Sequence, residues 1–272
     1  MDGRTIYAIS KKEFMDNWRN KWVMAVSAIF LILTLVTSYF GSTGTFNSID
    51  TEGVGWRNID ATILVMLIFV MPLVPIIGLM LGYAALVGER EKGSLELMLS
   101  YPVERIEILA GKLFGLGAVM AAATFIGFGV AGIIIALNVK GVQWGNYAVF
   151  VLASVLLGIV FISISMLFSA IFKKRSAAMG GAVFLWFFFE MIWRDPLISG
   201  IMSTGSSWYC AAKLINPVEE YLTLISVSIS SLNGLVRCIP SFVNAQFIIA
   251  VILSWVAGTF ALTWYIFNKK DL

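Results

Sequence analysis

Residues 61–88 read ATILVMLIFVMPLVPIIGLMLGYAALVG, 28 residues without a charge between Asp60 and Glu89. About 20 apolar residues in a helix cross a bilayer core. The run is too long and too little alternating to be a barrel strand. It reads as a membrane span, and the rest of the chain repeats it. Lys21 and Asp50 enclose another 28 uncharged residues, Lys112 and Lys140 enclose 27, and Lys140 and Lys173 enclose 32. A fifth apolar run extends from Ser176 to Phe189, reaching Trp193 if Glu190 is tolerated, and a sixth lies between Arg237 and Lys269 after Pro240. The spacing predicts an all-α polytopic membrane protein, with spans near 22–42, 61–87, 113–137, 147–172, 176–194 and 245–267.

Composition agrees. Apolar residues make up 59% and charged residues 13%, roughly half the charge of a soluble domain. A soluble fold of this length cannot hide so much apolar surface, so a soluble enzyme, a nucleic-acid-binding domain and a disordered chain are excluded. The chain has no histidine and two cysteines. That removes Ser-His-Asp and Cys-His catalysis, His-ligated metal or haem, Cys-rich zinc and iron–sulfur sites. No catalytic residue, metal site or cofactor is expected on this chain. A net charge of +3 is too small to imply nucleic acid.

The distribution of Lys and Arg sets the orientation. The first segment, the loop between spans two and three, the loop between spans four and five and the tail hold 14 of them. The alternate loops hold five, namely Arg57, Lys140, Arg194, Lys213 and Arg237. Both termini are therefore expected in the cytoplasm, and six spans are consistent with that. The first 21 residues carry five bases and three acids and do not read as a cleaved signal. Residues 4–21 read instead as a helix lying on the membrane surface. Tyr7, Phe14, Trp18 and Trp22 share one face, with Lys11, Lys12, Asp16 and Arg19 around the rest.

The segment 88–112 holds nine of the chain's 35 charges. Gly93 breaks one helix and Ser94 is placed to cap the next. Leu95, Met98 and Leu99 form a short apolar face, and Pro102 ends it. Such a face must bury itself, either on its own bundle or in a groove of a cytoplasmic partner.

The run Glu89-x-Glu91-x-Gly93-Ser94-Leu95-Glu96-x-Met98-Leu99, followed by Pro102, Arg105, Ile108 and Gly111-Lys112, resembles the cytoplasmic loop of type-2 ABC exporter permeases. It lies between spans two and three of six, as in that family. Ser94 and Met98 stand where Thr and Leu are commoner. Local matches at Arg19–Trp22 (RNKW), Leu86–Glu89 (LVGE), Leu99–Pro102 (LSYP) and Asn216-Pro217 followed by Tyr221 resemble the permeases that serve maturation of the nitrous-oxide-reductase copper site. The resemblance implies a permease subunit in the cytoplasmic (inner) membrane, paired with a second copy of itself. Two separate ATPase subunits would bind beneath it, carrying ATP and Mg, and an extracytoplasmic partner protein would bind above. No G-x-x-x-x-G-K-[ST] is present, so this chain does not cradle ATP phosphates itself. By the same resemblance, 94–101 is the coupling helix. Its ATPase-binding residues would be Glu89, Glu91, Ser94, Leu95, Met98, Leu99, Tyr101, Pro102 and Arg105. The expected function is export of a substrate, or mechanical signalling, driven by the partner's ATP hydrolysis.

Other readings stay open on the residues alone. An ion-coupled secondary transporter would need ionisable groups near the midplane, and an integral membrane enzyme would need clustered acids. The predicted spans offer only Glu190, near one end. Glu190 and Arg194 are spaced to form either a helix-end salt bridge or a gate. Cys210 and Cys238 fall in 195–244, a segment expected outside the cytoplasm, where a disulfide is permitted. That segment is too long for a turn and reads as short interfacial or re-entrant helices that could receive an outer partner. Pro72 and Pro75 are expected to bend span two, and the glycines of span three to admit close helix packing.

Overall fold

The computed structural model describes residues 2–42, 59–138, 144–197, 208–236, 239–240 and 242–269. Among these residues all regular structure is helical. The elements are α1 (Gly3–Arg19), α2 (Trp22–Ser42), α3 (Ile59–Gly82), α4 (Val87–Glu91), α5 (Ser94–Leu99), α6 (Arg105–Asn138), α7 (Trp144–Ile171) and α8 (Arg175–Phe187), which continues as a π-helix over Phe188–Leu197. Then follow α9 (Trp208–Lys213), α10 (Pro217–Ser228), a 3₁₀ turn at Ser230–Leu232 and α11 (Ala245–Lys269).

Five stretches are helical, long and apolar enough to cross a membrane: Ile63–Glu91, Arg105–Val130, Trp144–Ile171, Arg175–Trp193 and Ala245–Lys269. They fall on predicted spans two to six. The first predicted span coincides with α2, whose apolar stretch is Val23–Leu33. Burial ranks them. The most apolar window of α7 is 78% buried, against 17% for α8 and 22% for α11. Thus α7 is the hub, with α3, α6, α8, α10 and α11 packed around it.

In lipid, apolar area does not drive helices together, so close contact and interhelical hydrogen bonds must do it. Both are present. A Cβ on Gly78 would sit 2.8 Å from the Gly158 carbonyl oxygen, and one on Gly82 would sit 2.7 Å from that of Ile162. The α3 backbone therefore lies directly against α7. Ser165 Oγ donates to the Leu79 carbonyl at 2.7 Å across the same seam. Ser163 and Thr259 share a hydrogen bond between α7 and α11.

α3 runs unbroken through Pro72 and Pro75. The interruption comes later, at the turn 83–86. There the hydroxyl oxygen of Ser169 on α7 accepts from the backbone N–H groups of Leu86 and Val87, both at 3.0 Å. The turn is thus pinned to the hub, and α4 restarts from a fixed point.

α1 is capped by Asp2, whose carboxylate accepts from Arg4 N at 3.0 Å. It packs on α6 through Ile9 and Glu13, against Gly111 and Gly115, where a Cβ would meet those side chains at 2.7 and 2.6 Å. Tyr7 and Trp18 are exposed on the opposite face, with Phe14 stacked on Trp18. Lys21, between α1 and α2, has φ +59°, so the chain turns there through a left-handed residue.

At the far end of the bundle, α10 enters between the helices rather than lying over them. Tyr221 is fully buried, its hydroxyl 3.1 Å from Ser154 Oγ, about 15 Å along α7 from Trp144 at 1.5 Å per residue. Residues 198–207, 237–238 and 241 of the segment expected outside the cytoplasm lie outside the described residues.

Candidate functional site

The loop 88–112 folds as α4, a two-residue turn, α5 and the first turns of α6. Gly93 makes the turn at φ +70°, a conformation costly to any residue with a Cβ. Ser94 is the first residue of α5. Its hydroxyl donates back to the Glu89 carbonyl at 3.3 Å, so it ties α5 to α4.

One buried cation organises this end of the molecule. Lys112 is 1% exposed, and its Nζ lies 2.6 Å from Glu13 Oε1 on α1 and 2.8 Å from Glu89 Oε1 on α4. Lys12 Nζ approaches the same Glu89 oxygen at 3.6 Å. A buried ammonium is retained only where opposite charge and hydrogen bonds compensate its lost hydration, and two carboxylates do so here. The result is a lock joining α1, the first turns of α6 and the segment entering α5.

A second pair extends the lock to α8. Arg175 Nε lies 2.9 Å from Glu91 Oε2. The Arg175 backbone N–H donates to Glu91 Oε1 at 2.9 Å, and its Nη2 donates to the Gly88 carbonyl at 2.6 Å. On the other side of the loop, Arg105 Nη1 donates to the carbonyl oxygens of Phe267 and Asn268, and its guanidinium lies 5.3 Å from the centre of the Phe267 ring. It meets the negative end of α11, where a cation is favoured. Glu107 accepts from the backbone N–H groups of Asp2 and Glu104, fixing the start of α6 to the start of α1.

These contacts sort the expected partner-binding residues into two groups. Glu89, Glu91 and Arg105 are engaged with their own chain. Leu95 is 1% exposed and faces a small space lined by Val87, Ser169, Ala170 and Phe267. Tyr101, Pro102 and the neighbouring Leu97 face outward, with Met98 half-buried. Leu97 and Tyr101 are each 68% exposed and lie four residues apart. The side chain of Leu99 lies outside the described residues. Leu97, Glu13 and Arg175 were not singled out from the sequence, and Lys112 entered only as the end of the run that carries the family resemblance. The heptad-like apolar pattern favoured 95, 98 and 99, and nothing local marks Lys112 as buried. Its place beside Gly111 and Gly115, the two positions where α1 can approach, was the available signal.

A cleft of about 340 Å³ opens beside the lock, between α1 and the α3–α4 turn, lined among others by Lys12, Asp16, Tyr83, Glu89, Lys92 and Arg175.

At the far end, Asp60 is buried and accepts from Asn146 Nδ2 at 3.0 Å and Ser231 Oγ at 2.5 Å. Glu190 is half-buried in the π-helix Phe188–Leu197, whose turn is wider than the α-helical one on which its spacing to Arg194 was argued. The side chain of Arg194 lies outside the described residues. Cys210, on α9, takes part in a disulfide, and Cys238 lies outside the described residues. No group of three or more Cys, Asp or Glu suited to a metal ion occurs among the described residues.

A family model described as ABC-2 family transporter protein matches residues 7–272. Two curated relatives, each named "Probable ABC transporter permease protein NosY", are similar over nearly the whole length. The one from Stutzerimonas stutzeri is 32% identical, covering 97% of this chain and 98% of the relative. The one from Pseudomonas aeruginosa is 31% identical, covering 98% and 99%.

Proposed function

The chain belongs to the ABC-2 family of transporter proteins, and we propose that, as the multi-pass permease subunit, it transmits the motion of a separate ATPase across the membrane. α5 with Tyr101 and Pro102 is the surface that meets the ATPase in the cytoplasm, and ATP and Mg reside on that partner. The observation that carries this reading is the Lys112 lock. A push on α5 reaches α4 through Gly93, and α4 is bonded by Glu89 to Lys112 and by Glu91 to Arg175. Force applied at one short helix is therefore shared at once by α1, α6 and α8.

In this reading both termini are cytoplasmic and the membrane is the inner one. The anchoring is divided: Leu95 fixes the helix to its own bundle, and Leu97 and Tyr101 present the apolar face to the partner. Two copies of the chain assemble, each with its own ATPase. α8 suits that contact, since Ser176 and Gly180 are exposed one turn apart, nothing lies within 4 Å of a Cβ at Gly180, and Phe184 is 66% exposed. Small residues at such spacing let helices approach closely. The far segment, with a Cys210–Cys238 bridge, receives an extracytoplasmic partner. The NosY similarity supports a role in copper-site maturation of nitrous-oxide reductase, with motion or cargo delivered to that partner.

The test is co-purification and ATPase assay of the assembled complex bearing L97A and Y101A. Removing two apolar anchors from a docking surface is expected to weaken the assembly by about tenfold or more. Wild-type co-purification and rate in the double variant would remove α5 as the coupling surface.

A further inference from the structure

α10 sets two acids side by side in different surroundings. Glu219 is 2% exposed and lies 3.7 Å from Lys213 Nζ. Glu220 is fully buried, and the one hydrogen bond to its carboxyl comes from Trp255 Nε1 on α11, which donates to Oε1 at 3.1 Å. Its Oε2 is buried and has no partner.

Among the described residues, the elements packed around Glu220 supply no compensating cation. α7 carries no charged residue, and its one tyrosine is Tyr147. α11 presents Trp255 here and keeps Lys269 at its other end. The π-helix contributes Glu190, with Arg194 and Asp195 further along. The 3₁₀ turn holds Ser231, already bonded to Asp60. On α10 itself the neighbours are Glu219 and Tyr221, and Lys213 on α9 pairs with Glu219. An ionised carboxylate with one donor and a desolvated second oxygen is costly, whereas the neutral acid loses little on burial.

We infer that Glu220 is a proton-binding site: the packed arrangement of α10 holds its carboxyl protonated, and the O–H proton passes to water when α10 moves into contact with it. Burial is the main influence on the Glu220 carboxyl, raising it to about 8, and the Trp255 hydrogen bond acts in the opposite sense. A raised carboxyl favours the packed state at low pH, and that advantage is lost as pH rises through about 8. With 12 residues α10 does not span the bilayer, so it can move without unthreading the bundle. Any motion that wets α10 thereby releases a proton, whatever drives the motion, so the inference does not depend on the ATPase reading.

The test is infrared difference spectroscopy of the purified chain in phosphatidylethanolamine–phosphatidylglycerol nanodiscs, titrated with alkali. The wild type is expected to show a protonated-carboxyl C=O band that disappears with a midpoint near 8. E219Q is expected to keep this band and E220Q to lose it. Where E220Q does not assemble, W255F serves, because loss of the indole donor shifts the midpoint upward. A wild-type band unchanged in E220Q, the absence of any such band, or a midpoint unmoved in W255F each overturns the assignment.

Discussion

The lock at Lys112 depends on one side chain more than on its partners. Two carboxylates, Glu13 and Glu89, share the ammonium and are themselves only 14% and 16% exposed. Removing the buried cation leaves the two acids with only the more distant and exposed Lys12 beside Glu89, whereas removing Glu13 leaves Lys112 paired with Glu89. Breaking a buried pair by deleting one member typically costs about 3–5 kcal/mol. K112M is therefore expected to lower the apparent Tm of the purified protein clearly more than E13Q does. Equal shifts for the two variants would show that the lock contributes no electrostatic stability. The sequence shows Lys112 as one of nine charges in a loop. It cannot show burial, because the partner Glu13 lies 99 positions away and arrives only when α1 docks on Gly111 and Gly115.

At the scale of elements, α5 is short and held at its start. Its start is set by Gly93 in the left-handed region and its first turn by the buried Leu95. A Cβ at position 93 meets no atom within 4 Å, so G93A adds backbone strain of about 1 kcal/mol without a clash. The fold is expected to survive, with helicity and Tm nearly unchanged, while the coupled ATPase rate of the assembled complex falls severalfold because α5 is re-aimed. A G93A protein with wild-type coupling would show that the turn is not a determinant of coupling. The helices themselves were legible from uncharged length and from Gly and Pro punctuation. The outward face of α5 was not. A six-residue helix has too few turns for periodicity to distinguish the side facing its own bundle from the side facing a partner. The turn at 83–86 teaches the same lesson: α3 is helical through Pro72 and Pro75, and the turn comes where Ser169 on another helix supplies the acceptor for two N–H groups.

For the whole molecule, unequal burial is informative. With α7 enclosed and α8 only 17% buried across its apolar window, the bundle is finished on one side and open on another. If a second copy covers α8, F184C is expected to form a disulfide-linked dimer in native membranes under mild oxidation, and L152C, on the outward side of α7, is expected not to. Monomeric F184C, or equal cross-linking at both positions, would place the contact elsewhere or leave α8 to lipid.

The sequence by itself determined the class and the long apolar helices. A helix in lipid satisfies its own backbone hydrogen bonds, so each span is a local, one-dimensional property written in uncharged length, and the resemblance carried by residues 89–112 is likewise local. The tertiary structure decided what those spans do to one another. Lys112 is buried between acids from two other helices, Leu95 faces inward while Leu97 faces out, and of two adjacent glutamates one meets a lysine and the other only an indole N–H. The physical reason is that charge state and burial are set by neighbours. In this bundle the neighbours come from distant parts of the chain, brought together by close glycine-mediated packing that hydrophobic pattern does not encode.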